Sequence, residues 1–140
     1  MKILVAVDGS RTCKNAITYL TTHFSMLGTD SKVTLITVHA PIPPHAAHTL
    51  GHAMTQSYYD DEAEKALKPV RAALGKAGIT AKEVTVVGDP GDEISTLATK
   101  GKFDLVLMGS HGHGVFKNLV MGSVATKVLA GCKVPVLLVR

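Results

Sequence analysis

Tryptophan is absent from this chain, and only 3 Phe, 3 Tyr and 2 Cys occur among its 140 residues. So few aromatics leave no stacking platform for single-stranded nucleic acid, and a net charge of +4 with no block of consecutive basic residues is too weak for a polyanion track. Cys13 and Cys132 offer neither a metal-ligand spacing nor a disulfide framework and read as small apolar side chains. No apolar run approaches the length of a membrane span. The run Ile3 to Val7 stops at Asp8, too short for the core of a signal peptide. The expectation is a cytoplasmic protein that binds neither nucleic acid nor membrane. Hydrophobic residues at 46% and charged residues at 19% suit a folded globular chain, and no repeat, low-complexity tract or linker divides it, so residues 1–140 read as one domain.

Short β-branched runs alternate with helix-compatible segments. Ile3 to Val7, Lys32 to His39, Val84 to Val87, Phe103 to Met108 and Val136 to Val139 read as strands. Between the first two, Ser10 can cap a helix that ends at Gly28, with Ala16, Ile17, Leu20, Phe24 and Leu27 on one face. After the second strand, Pro41, Pro43 and Pro44 open an expected loop over residues 40 to 54. A long helix should then run from Gln56 to Ala77, kinked or divided at Pro69. Asp92 opens a shorter helix through Ile94, Leu97 and Ala98, and a last helix starts near Ser123. Strands alternating with helices imply an α/β fold with a parallel, doubly wound sheet and helices on both faces. Ligands of such sheets lie beyond the carboxyl ends of the strands, where strand order reverses.

One such end carries an unusual loop. The fourth strand leads into Gly109-Ser110-His111-Gly112-His113-Gly114, and nine residues after Gly112 come Gly122 and Ser123 at a helix start. Glycines let a backbone approach closely, and free N–H groups at a helix start attract anions. A nest of such amides cradles phosphate oxygens without a lysine. Two such segments separated by a short excursion can grip a polyphosphate from two sides. The loop is not a P-loop, because Gly114 is followed by Val115 rather than Lys. Asp8 ends the first strand, where its carboxylate either meets a ligand or forms a turn before Gly9.

The run MGSHGHGVFKNLVMGSVATKVL, with MKILVAVDGS at one end of the chain and VPVLLVR at the other, resembles the ATP-binding subgroup of the universal stress protein family. The resemblance implies a five-stranded sheet in the order 3-2-1-4-5, Rossmann-like and adenine nucleotide alpha hydrolase-like, so that the ends of strands one and four border one crevice. It places a nucleotide against Ala6, Val7 and Asp8. It puts the adenine edge at the backbone of Val38, and ribose and phosphates at Met108 and Gly109. Gly112, Gly122 and Ser123 match phosphate-binding positions, with Val124 offering a further N–H and Ser110, His111, His113 and Gly114 close by. His113 stands where many members carry arginine. The implied ligand is ATP, or ADP or AMP, accompanied by Mg²⁺ or Mn²⁺, and the implied partner is a second copy paired through the last strand.

The implied role is stress response or signalling, with the nucleotide as a ligand or switch. No paired carboxylates or arginine finger flank the loop, so any ATP hydrolysis should be weak and no catalytic residue is assigned. Two other functions are compatible with the sequence: an interaction module that uses no nucleotide, and a slow ATPase or nucleotidyl transferase. A flavin site beside Ser10-Arg11-Thr12 is disfavoured by the scarcity of aromatics. His45, His48 and His52 could share a face if helical, but no Cys or carboxylate lies close in sequence, and no metal site is expected.

Overall fold

The computed structural model describes residues 1–114 and 118–140. Five parallel strands stand in the order β3-β2-β1-β4-β5: β1 Lys2–Ala6, β2 Lys32–His39, β3 Ala81–Val87, β4 Leu105–Gly109 and β5 Val136–Val139. The expected doubly wound order is therefore observed. β1 lies at the centre, with Val5 opposite Leu35 on one side and Leu107 on the other.

Helices α1 (Arg11–His23) and α3 (His52–Lys76) cover one face, and α4 (Pro90–Lys100) and α5 (Ser123–Gly131) cover the other. Alternation along the strands divides the core accordingly. Ile3, Val5, Val33, Leu35 and Leu107 pack with Ala16, Ile17 and Leu20 of α1 and Ala63, Leu67, Val70 and Leu74 of α3. Leu4, Ile36, Val106 and Met108 pack with Ile94, Ala98, Ala125 and Val128. Each fully buried aliphatic side chain contributes roughly 1.5–3 kcal/mol, so this double core is the main favourable term.

Ser10 caps α1 by accepting the N–H of Cys13 at 3.2 Å, and the helix passes into a 3-10 turn, Phe24–Leu27, before Gly28. Asp89, three residues earlier than expected, caps α4 by accepting the N–H of Asp92 at 3.1 Å, with Pro90 at the first helical position. β3 begins at Ala81 rather than Val84: it is an edge strand, and its exposed Lys82 and Glu83 conceal it from a hydrophobicity pattern.

The expected loop over residues 40 to 54 is a correction. Pro44–Leu50 forms helix α2, and α3 already starts at His52, with only Gly51 (φ 79°) between them. Pro44 sits at the start of α2, where a missing N–H costs nothing. Nor does Pro69 divide α3, which runs unbroken for 25 residues. Pro69 is exposed, so water reaches the carbonyl that it leaves without a donor. On the exposed face of α3, Lys65 pairs with Glu62 at 2.9 Å. Arg71 forks between Glu64 (2.8 Å) and Glu83 (2.6 Å) and so ties α3 to the edge strand β3.

Candidate functional site

At the carboxyl ends of the strands a cleft of about 410 Å³ opens between the β1–β2 side and the β4–α5 side. β1 pairs with both β2 and β4, so this is the point where strand order reverses. All fourteen residues singled out from the sequence line it: Ala6, Val7, Asp8, Val38, Met108, Gly109, Ser110, His111, Gly112, His113, Gly114, Gly122, Ser123 and Val124. The excursion between Gly112 and Gly122 includes Val115, Phe116 and Lys117, which lie outside the described residues.

The wall contains five further residues, Ile36, Pro90, Ile94, Leu119 and Ala125. Ile36 and Val38 of β2, Pro90 and Ile94 of α4, Ala6 and Met108 make an apolar end. The glycine loop and the start of α5 make a polar end. Pro90 and Ile94 gave no sequence signal, because α4 reaches the cleft only through the crossover that follows β3. α4 is held against α5 there. Lys127 Nζ meets Asp89 Oδ1 at 2.9 Å and Asp92 Oδ2 at 3.1 Å, and the bond from Lys127 holds the Asp89 carboxyl below its usual range.

At the polar end, Gly122 and not Ser123 is the N-cap of α5. Among the described residues no side chain caps this helix; its first amides have no intrahelical acceptor, and Ser123, Val124 and Ala125 all face the cleft. These orphan donors, reinforced by the helix dipole, favour an anion. Gly122 N–H donates to the Ser110 carbonyl at 2.7 Å, which joins the helix start directly to the loop.

The glycines are required by close approach. A Cβ on Gly109 would lie 2.6 Å from Thr12 C and 2.7 Å from Cys13 N, so α1 can cross the end of β4 only over glycine. A Cβ on Gly122 would lie 3.2 Å from both His111 Cα and the Ser110 carbonyl oxygen. The hydroxyls of α1 then fix the loop. Ser10 Oγ donates to the His111 carbonyl at 3.2 Å, Thr12 Oγ1 bonds the same carbonyl, and His111 N–H donates back to Thr12 Oγ1 at 3.2 Å.

His111 is an internal brace. Its Nε2 meets the Leu119 carbonyl at 2.7 Å and must donate there, because a carbonyl only accepts. In the neutral ring Nδ1 then accepts from the buried Ser110 hydroxyl at 2.8 Å. The imidazole of His113 bonds the Asp8 carbonyl across the cleft mouth. All three ring contacts go to protein groups, an arrangement that spacing alone does not disclose.

Of the two roles weighed from the sequence, Asp8 shows the turn, from a position in the cleft wall. Its Oδ1 accepts the Ser10 N–H at 2.8 Å and so forms the turn with Gly9 (φ 75°), while the residue lines the cleft. Val38 is partly buried in the core as well as lining the apolar end. Cys13 is buried beneath the loop, and burial pushes its thiol above the ordinary range, which makes it a poor nucleophile. Cys132 is half-buried, more open than the sequence suggests. His45 and His48 sit on α2 and His52 opens α3. Among the described residues, no three His, Cys, Asp or Glu side chains are grouped to hold a metal ion, and no helix is long and apolar enough to cross a membrane.

Comparisons with known proteins agree with this architecture. A sequence model described as the universal stress protein family matches residues 1–140. The chain is 34% identical over 80 residues to a universal stress protein of Methanocaldococcus jannaschii, a match covering 57% of this chain and 49% of that protein. To a universal stress protein of Thermus aquaticus it is 32% identical over 141 residues, covering 99% of this chain and 97% of that protein. A match to a Synechocystis universal stress protein takes in 42% of that longer protein, so the chain spans about half or less of two of the curated relatives it matches. Among solved structures, the same Methanocaldococcus jannaschii protein superposes with a TM-score of 0.80 at 27% identity, covering 99% of this chain and 94% of that one. A universal stress protein crystallised in complex with cAMP superposes with a TM-score of 0.70 at 25% identity, covering 100% and 97%.

Proposed function

The chain belongs to the universal stress protein family, and from that premise we propose that its cleft binds an adenine nucleotide, ATP or its di- or monophosphate, as a ligand rather than as a substrate for rapid turnover. One observation carries this reading: a glycine loop and an uncapped helix start face each other, joined by the Gly122–Ser110 bond, at the open end of an apolar slot. An adenine ring suits the slot between Val38, Ile94, Pro90 and Met108, and phosphates suit the amides of the loop and of Ser123 to Ala125. The cleft volume falls within the range of small-molecule sites. The cAMP complex of a relative is consistent with an adenine-bearing ligand in this fold.

A divalent cation, Mg²⁺ or Mn²⁺, accompanies the phosphates. The residues present fit that form of binding and not a protein cage. Asp8 is the one carboxylate in the described wall of the cleft, and Mg²⁺ characteristically uses one or two carboxylates together with substrate phosphates and water. Asp8 would hold the cation; the charge it supplies neutralises the polyphosphate. Turnover is slow on this reading, because the described wall contains no Lys, no Arg and no second carboxylate to position a water or stabilise a transferred phosphoryl group.

The chain works as one domain in the cytoplasm, in stress response or signalling, and pairs with a second copy through β5. That strand is the sheet's outer edge, and its half-buried Val136 to Val139 leave one row of backbone groups unpaired. Calorimetric titration with Mg-ATP, AMP and adenosine tests the nucleotide reading, with saturable heat from the phosphorylated ligands expected. No heat from any of them would favour the interaction module instead. Light scattering tests the pairing, and a monomer at micromolar concentration contradicts it.

A further inference from the structure

His113 stands apart from the rest of the loop. Ser110 and His111 are held from several sides: by Ser10 and Thr12 of α1, by the Val139 carbonyl, which accepts the Ser110 N–H at 2.8 Å, and by Gly122. The tip beyond them is Gly112-His113-Gly114, exposed throughout. Glycines on either side of His113 impose little conformation of their own, so a side-chain contact decides where the tip rests. The contact present is the bond from the imidazole Nε2 to the Asp8 carbonyl, between residues 105 apart in sequence. A carbonyl only accepts, so Nε2 carries the proton. The ring lies over the β1 turn, where a Cβ on Gly9 would be 4.0 Å from His113 Cε1. Beneath it the Asp8 carboxylate and Gly112 come together: a Cβ on Gly112 would be 3.5 Å from Asp8 Oδ2. The bond therefore spans the mouth of the cleft from β4's loop to β1's end.

We propose that His113 is a positioning residue that latches the glycine loop shut over a bound nucleotide by donating its Nε2 proton to the Asp8 carbonyl. The latch rests on the nucleotide reading and deepens it: the loop and α5 shape the phosphate seat, and His113 sets how long the ligand stays. A closing element of this kind acts mainly on dissociation. Loss of one neutral hydrogen bond changes the closed-to-open ratio by up to about tenfold.

The test is stopped-flow release of fluorescently labelled ADP, with Mg²⁺, from wild type, His113→Ala and His113→Gln. The latch gives release up to about tenfold faster from His113→Ala, and substantial recovery in His113→Gln, whose amide N–H can donate to the same carbonyl. Recovery by glutamine separates a bond from mere bulk. Wild-type release from His113→Ala, or no recovery in His113→Gln, overturns the latch while the nucleotide reading stands. Failure of the wild type to bind labelled ADP overturns both. Long-range ¹H–¹⁵N NMR of the nucleotide-free protein reports independently: the proton on Nε2 of His113 supports the latch, and a proton on Nδ1 alone overturns it.

Discussion

Replacing Gly122 by Ala separates folding from binding. The residue has φ −72° and ψ 165°, an extended conformation open to any amino acid, so alanine adds no backbone strain. Its Cβ would meet His111 Cα and the Ser110 carbonyl oxygen at 3.2 Å and Gly112 N at 3.5 Å. Relief requires the loop and the helix start to separate by a few tenths of an ångström. For folding this is a small cost, on the order of 1 kcal/mol including the weaker N-cap, and a fall of about 3 °C in Tm. For binding, on the proposed reading, it parts the two segments that would close on one phosphate group. Each amide bond to a charged oxygen contributes about 1.5–3 kcal/mol, so misaligning one of them weakens ADP about tenfold to a hundredfold. Adenosine, which has no phosphate, should bind the variant and the wild type alike. Calorimetry with both ligands, beside a thermal melt, gives the answer. Unchanged ADP affinity in a folded Gly122→Ala protein, or equal losses for ADP and adenosine, would refute the two-segment geometry.

Three other outcomes follow from the same contacts. Ser10→Ala removes the cap of α1 and a bond to the loop, and should lower stability by about 1–2 kcal/mol in denaturant titrations. Arg71→Ala should lower Tm slightly at low salt and less at high salt. Arg71 holds the Glu83 carboxyl below its usual range, so the contribution is present above the unfolded carboxylate pKa of about 4 and is lost as pH falls through the lower folded value; melts of both proteins across that window should converge in acid. Pro69→Ala restores a donor in the exposed middle of α3 and should raise stability by about 1 kcal/mol or more, checked by the same denaturant titration.

Much of the fold can be read from local pattern. β2 and β5 have the observed limits because their β-branched runs are bounded by polar or proline residues. The loop after β4 declares itself because backbone crowding leaves glycine as the acceptable residue at Gly109 and favours it at Gly122, and that demand is written directly in the sequence. α2 was obscured by three prolines, which signal a loop unless one of them occupies the first helical turn, as Pro44 does. The start of β3 is concealed from a hydrophobicity pattern by the exposed Lys82 and Glu83 of an edge strand. Pairings between distant segments left no local trace. The apolar side of the slot depends on α4 being packed beside β2, and the partners of His111 and His113 depend on where Leu119 and Asp8 arrive in space.

The most direct measurement is an amide chemical-shift titration of the folded protein with Mg-ADP. Saturating shifts concentrated at Gly109 to Gly112 and Gly122 to Ala125 are expected, with smaller ones at Val38 and Ile94. Shifts that avoid these two segments, or none at saturating nucleotide, would contradict a phosphate seat made of backbone amides.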